Sequence, residues 1–255
     1  MINKLVNFVK KKKHKIQINQ NDIWLISYPR SGNTWMRLVL ANYIWECPLI
    51  TNLQELQAYI PDIHYERSGI IPKQFKKKHR VIKSHEKFRN DYSQVIYVYR
   101  NPFDCAWSYF HFMKDWKGSY SQFSEFAQDF LNGNLPYGSW ADHLQEWSQL
   151  HKGKHIFLCY EDVVQEPRNY LYQILSFIGF EYDEQRADNA LKNASAETVS
   201  KITNDKVFYG KDFTTFVKSP LGVGKQMKEQ IRSEYALQFA DWNNLYEEFR
   251  FSSKT

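Results

Sequence analysis

The stretch Trp24-Leu25-Ile26-Ser27-Tyr28-Pro29-Arg30-Ser31-Gly32-Asn33-Thr34-Trp35-Met36-Arg37 constrains this chain more than any other. The apolar run from Ile23 to Ile26 is short and bounded by a turn signal, the pattern of a central parallel strand. Pro29 ends the strand, and Gly32 permits a backbone conformation that a side chain would hinder. An amphipathic helix then starts at Thr34, with Trp35, Leu38, Val39, Asn42 and Tyr43 on neighbouring turns. A junction of this kind aims backbone N–H groups and a helix N-terminus at one point. Arg30, Ser31, Asn33 and Thr34 add side-chain donors there. The ligand such a loop suits is an anion, above all a phosphate.

The rest of the chain supplies the partners of that strand. Arg80 to His85 and Gln94 to Tyr99 read as further strands, the second a continuous β-branched and aromatic run. Lys154 to Tyr160 reads as another buried strand, closed by Glu161-Asp162. Between them lie helical patterns at 53–60, 121–131, 138–151, 167–178 and 183–192. Asn101 is a good N-cap and Pro102 a good first residue for a helix running to about Trp116. Residues 193–225 have weak periodicity and read largely as a long loop that orders on binding. Residues 226–249 read as one closing helix. Strands alternating with helices imply an α/β fold, one domain over 21–255 with a mostly parallel central sheet flanked by helices. Residues 1–20 form a basic lead-in.

Composition narrows the class. Apolar residues are 43% of the chain and aromatic residues 17%, which excludes a disordered chain and predicts a core of large rings. The formal charge of +6 comes largely from Lys10-Lys11-Lys12-Lys13 and Lys76-Lys77-Lys78. Both runs read as solvated surface, so no nucleic-acid partner is expected. Cys47, Cys105 and Cys159 fit neither a metal spacing nor a disulfide framework, which points to a reducing compartment. The apolar run in Met1 to Val9 is too short for a signal peptide and the lysine run follows it, so no leader is expected, and no run approaches roughly 20 apolar residues. The expected location is the cytoplasm, without stable membrane insertion.

In a parallel sheet, ligands sit beyond the carboxyl ends of the strands. Three strands end in polar clusters, at Ser27, at Lys83-Ser84-His85 and at Arg100, and these ends should converge. The first loop lacks the Walker G-x-x-x-x-G-K-[ST] spacing, and no acidic pair suggests Mg²⁺. Phosphate would be held by arginine and backbone donors, with no metal. Arg100 is a second cation, and Ser108, two turns into the next helix, faces its side. Two phosphate positions on one sheet edge suggest a nucleotide phosphorylated at two places. A small-molecule kinase or another nucleotide-dependent transferase is the competing class.

These motifs resemble those of the sulfotransferases that use 3′-phosphoadenosine 5′-phosphosulfate (PAPS), the P-loop-like cytosolic and bacterial type. Tyr28 to Trp35 resembles the family loop for the 5′-phosphosulfate. Tyr99-Arg100-Asn101-Pro102-Phe103-Asp104-Cys105-Ala106-Trp107-Ser108 resembles its 3′-phosphate segment. Lys83-Ser84-His85 resembles its lysine-hydroxyl-histidine motif, and Tyr160-Glu161-Asp162 its strand end near the adenine. The resemblance implies sulfuryl transfer from PAPS to a hydroxyl or amine of a small molecule, a secondary metabolite for example, by in-line attack. It implies His85 as general base, with Glu86 the alternative, and Lys83 and Arg30 stabilising developing charge. It implies Arg30, Ser31, Gly32, Asn33 and Thr34 around the 5′-phosphate, Arg100 and Ser108 at the 3′-phosphate, and Trp35 and Tyr160 at the adenine. Ser195 matches a nucleotide-contacting serine. Tyr28, Phe112 and Trp116 are the candidate walls of the acceptor pocket. The family's closing Arg-Lys-Gly-x-x-Gly-x-Trp segment is degenerate here, as Val217-Lys218-Ser219-Pro220-Leu221-Gly222-Val223-Gly224, which leaves Lys218 and Gly222. Arg30 stands where cytosolic members mostly have lysine. A planar fixed charge suits electrostatic stabilisation and not proton donation.

Overall fold

A computed structural model describes residues 18–47, 49–64, 80–117, 119–151, 153–203 and 223–252, without the side chains of 115–117 and 223–224. Most of the basic lead-in, including Lys10 to Lys13, lies outside the described residues, as do Lys76 to Lys78.

Four strands form one parallel sheet: β1 (Asp22–Ser27), β2 (Arg80–Ser84), β3 (Gln94–Tyr99) and β4 (His155–Cys159), in the order β2-β1-β3-β4. Every residue of β1 is buried, because the strand is covered on both faces and both edges. Ile26 pairs with Ser84 and Ser27 with Val98, so the carboxyl ends of β1, β2 and β3 finish at one level. The chain builds β2 on one side of β1 and β3 on the other. That makes the end of β1 a topological switch point, where open α/β sheets bind ligands.

Side chains alternate along the strands with period two and divide the interior into two layers. Ile23, Leu25, Val81, Ile96 and Val98 face an aliphatic layer. It is closed by α1 (Asn33–Trp45), α2 (Leu53–Tyr59), α7 (Pro167–Phe177), α8 (Glu184–Asn193) and α9 (Ala196–Thr203). Trp24, Ile26, Ile82, Val95, Tyr97 and Tyr99 face an aromatic layer. It is closed by α3 (Pro102–Lys117), α4 (Phe123–Leu131), α5 (Trp140–Ser148) and α11 (Ala240–Ser252). The large rings expected from composition are concentrated here. Trp24 stacks on Tyr92 at 3.7 Å, and Phe126 on Phe130 at 5.7 Å.

Local signals set several boundaries. Asn101 Oδ1 accepts from the N–H groups of Phe103 and Asp104, and α3 begins at Pro102. Elsewhere the structure corrects the expectation. The fourth strand ends at Cys159, its first three residues are only half-buried, and a short helix α6 (Tyr160–Gln165) follows at once. Glu161 and Asp162 therefore stand in a first helical turn, where acidic groups complement the helix dipole. Part of the loop expected over 193–225 is α9, capped by the Ser195 hydroxyl, which accepts from Thr198 N–H. The single closing helix is two, α10 (Val223–Glu234) and α11, separated by turns. The break drives Phe239 into the aromatic layer against Phe103 and Phe130. Burial of that ring outweighs continuation of the helix.

Candidate active site

The turn from β1 into α1 has no side-chain cap. Gly32 occupies the N-cap position at φ 94°, and the first turn of α1 carries no acidic residue. Arg30 is also left-handed, at φ 71°. A non-glycine residue held there is strained, and such strain gathers at functional turns. The turn is supported from below. Ser31 is buried with its Oγ 3.8 Å from Cys105 Sγ, and Cys105 donates to Pro29 O.

Two arginines flank the helix terminus. Arg30 Nε donates to Ser108 Oγ at 3.1 Å, and its guanidinium lies 5.1 Å from the Phe112 ring centroid. Arg100, at the end of β3, donates from Nη1 to Arg30 O at 3.2 Å and lies over the Tyr160 ring at 5.0 Å. Among the described residues its buried Nε has no hydrogen-bond partner, and a Glu161 carboxylate oxygen lies 3.9 Å away. The Tyr160 ring presses on Gly32: a Cβ there would come within 2.1 Å of Tyr160 Cδ2. An uncapped helix terminus, two guanidiniums and an unpartnered buried N–H donor form a donor set fitted to phosphate.

The end of β2 supplies titrating groups. Lys83 Nζ pairs with Asp62 Oδ2 at 2.7 Å, both buried. Burial pulls the Lys83 ammonium down to about 8 against the upward pull of Asp62. Burial works to raise the Asp62 carboxyl, but Lys83, Arg37 and His64 together hold it below its ordinary value. His85 Nδ1 lies 2.7 Å from Ser27 O. A carbonyl can only accept, so Nδ1 carries the proton and Nε2 keeps its lone pair. Desolvation and then the Lys83 charge keep this imidazole neutral, well below its ordinary value. His143 from α5 holds the loop, donating from Nε2 to the carbonyls of His85 and Glu86 while its Nδ1 accepts from Tyr97 O–H. Glu86 is occupied elsewhere, accepting from Tyr92 O–H at 2.6 Å.

Lys83 and His85 share one cavity of about 890 Å³ with the two arginines, and Glu86 and His143 are not among the described residues that line it. It is lined by Arg30, Gly32, Asn33, Thr34, Trp35, Lys83, His85, Arg100, Ser108, Phe112, Tyr160 and Ser195 among the expected site residues. Tyr28 does not line it. Its ring is buried in the aromatic layer and its hydroxyl donates to Gly138 O at 2.8 Å. The Ser31 hydroxyl also faces the interior. Lys218, Gly222 and the side chain of Trp116 lie outside the described residues. Asp62, His64 and Tyr137 line the cavity without having been expected there. The signal for Asp62 was Lys83 itself, since a lysine within a buried strand requires an anion.

The chain is similar to known proteins along most of its length. The sequence profile of the sulfotransferase domain matches residues 20–247. The chain belongs to the sulfotransferase family. Human sulfotransferase 4A1 is 30% identical over 198 residues, covering 73% of this sulfotransferase and 69% of the human protein. Mouse sulfotransferase 4A1 is 29% identical over 187 residues, covering 69% of this chain and 66% of the mouse protein. The match thus spans just under two thirds of the mouse relative's length. The fold is shared with the crystal structure of mouse sulfotransferase SULT7A1 complexed with PAP. There the TM-score is 0.61 and identity 22%, over 92% of this chain and 90% of that one. It is also shared with retinol dehydratase in complex with androsterone and inactive cofactor PAP, with a TM-score of 0.65 and 18% identity over 90% and 82%.

Proposed function

We propose that this sulfotransferase moves a sulfuryl group from PAPS to a hydroxyl or amine of a small-molecule acceptor, with His85 as general base. The observation that carries the reading is the single cavity. It joins an anion cradle, from Arg30 to Trp35 with Arg100, to a histidine that keeps a lone pair on Nε2. Related folds in complex with PAP support the same donor.

When bound, PAPS supplies an activated sulfuryl group on a good leaving group. The chain's own residues do the rest. The first-turn N–H groups of α1, with Asn33 and Thr34, hold the 5′-phosphate above the buried Ser31, and Arg30 neutralises charge on the leaving side. Arg100 and Ser108 hold the 3′-phosphate, joined from the C-terminal segment by Lys218 and Gly222. Trp35 and Tyr160 flank the adenine, and Ser195 lies at the same wall. His85 Nε2 takes the acceptor's proton, and Lys83 stabilises negative charge beside it. Phe112, with Tyr137 and Trp116, walls the acceptor, and Tyr28 braces that wall through Gly138. The rings suit a flat, partly apolar scaffold such as a secondary metabolite. The enzyme works in the cytoplasm without a metal. No described helix is long and apolar enough to cross a membrane.

Calorimetry and mass spectrometry test the reading. PAP at a hundredfold excess over Kd, without Mg²⁺, should stabilise the protein by about 2.7 kcal/mol, a Tm rise of roughly 5–10 °C. With PAPS, one member of a panel of hydroxylated and aminated acceptors should gain the mass of one sulfuryl group. Arg100→Ala should weaken PAP roughly 10- to 100-fold, whereas His85→Ala should leave PAP binding intact and lower kcat about 10²- to 10⁴-fold. Stabilisation by Mg–ATP and not by PAP would reject the donor. Normal turnover by His85→Ala would reject the base.

A further inference from the structure

The segment that follows α2, Ile60 to His64, is fastened to Lys83-Ser84-His85 by a chain of hydrogen bonds. Lys83 N–H donates to Pro61 O at 2.8 Å, and Asp62 bridges Lys83 in parallel register. One carboxylate then serves two groups. Asp62 Oδ2 accepts from Lys83 Nζ at 2.7 Å, and Asp62 Oδ1 accepts from His64 N–H at 3.0 Å. His64 Nε2 in turn accepts the backbone N–H of His85 at 2.9 Å. The His64 and His85 rings lie nearly parallel, 6.0 Å apart at 11°. The segment is itself anchored: Gln57 Oε1 accepts from Asp62 N–H, and buried Arg37 donates to Ile60 O. The links from Asp62 and His64 end on Lys83 and on the backbone of His85, the two groups to which the proposed reaction assigns proton transfer and charge stabilisation.

We propose that Asp62 and His64 are positioning residues for Lys83 and His85. Asp62 anchors the Lys83 ammonium at the cavity wall, and His64, as its Nδ1–H tautomer, fixes the backbone from which His85 presents Nε2. The inference rests on the reading of Lys83 and His85 as the reacting pair. The chemistry is specific. A backbone N–H can only donate, so His64 must keep a lone pair on Nε2 and its proton on Nδ1. Among the described residues, the charged and titratable groups facing Lys83 are Asp62, Arg37 from α1, and His85. Asp62 is the anion among them, and a buried ammonium deprived of its anion gives up its proton more readily.

The test combines nitrogen-15 NMR of the histidine rings with pH-resolved release of PAP from PAPS. In the wild-type protein, His64 should be the Nδ1–H tautomer. His64→Ala should shift the His85 ring resonances and lower kcat for PAP release at least tenfold. His64→Gln, whose amide oxygen accepts the same N–H, should restore most of both. Asp62→Asn, nearly isosteric, should move the alkaline limb of the kcat profile to lower pH while PAP binding stays within twofold. A proton on His64 Nε2 would overturn the inference without any variant. So would unchanged His85 resonances in His64→Ala, or an unmoved alkaline limb in Asp62→Asn. Failure of the wild-type protein to bind PAP would count against the donor and not against this arrangement, which the ring tautomers report independently.

Discussion

Gly32→Ala tests the loop on which the site is built, and two costs can be worked from the structure. The first is conformational. At φ 94° a side chain is strained, at roughly 1–2 kcal/mol. The second is steric. The new Cβ would stand 2.1 Å from Tyr160 Cδ2 and 2.3 Å from Cε2, so the ring must swing away. A displaced ring gives up its contact with the Arg100 guanidinium, 5.0 Å from its centroid, at roughly 0.5–1 kcal/mol, together with packing on the loop. The sum is about 3 kcal/mol, which in a chain of this size lowers Tm by roughly 6–12 °C. PAP binding should weaken at least tenfold, since helix terminus, Tyr160 and Arg100 all shift. Differential scanning calorimetry with and without PAP reads both effects. Tyr160→Ala and the double variant separate the costs: with the ring gone, Gly32→Ala should cost about 1 kcal/mol less than in the wild-type background. A Gly32→Ala protein melting within 2 °C of wild type would refute the reasoning. An equal cost in both backgrounds would refute the steric half.

Other perturbations read other parts of the molecule. Lys83 is charged below about 8, so kcat measured from pH 6 to 10 should fall as pH rises through that value, and a flat alkaline limb would remove Lys83 from charge stabilisation. Burial lowers His143 to about 4, so between its ordinary value and that point the unfolded chain takes up a proton that the native chain resists. Stability should therefore fall as pH drops through this window, by up to about 3 kcal/mol from this group, and His143→Gln should make the decline of Tm shallower. Asp104 on α3 accepts from Lys228 and Arg232 of α10. Asp104→Asn should raise hydrogen exchange across 223–234 while moving the global Tm by less than about 2 °C, because partly exposed pairs contribute little to global stability.

What could be read from the sequence follows from how local each determinant is. The β1 run, the Asn101-Pro102 start of α3 and the Arg30-to-Trp35 turn are set by neighbours within a few residues, and the structure places them as the sequence reads. The break at Phe239 is set by rings on α3 and α4 more than a hundred residues away, and a continuous helical pattern hides it. Tyr28 belongs to neither extreme. Trp24, Ile26 and Tyr28 alternate onto one face, and that face is the aromatic layer, so period two alone directs Tyr28 inward and away from the cavity. The positions around Lys83 turn on the same reasoning carried across space. A strand that buries a lysine must draw a carboxylate from somewhere, and a loop that aims a histidine must satisfy its own N–H groups. Asp62 and His64 answer both demands from a segment with no motif of its own. The residues with recognisable motifs name the chemistry, and the unsatisfied groups they leave behind indicate where their supports must be sought.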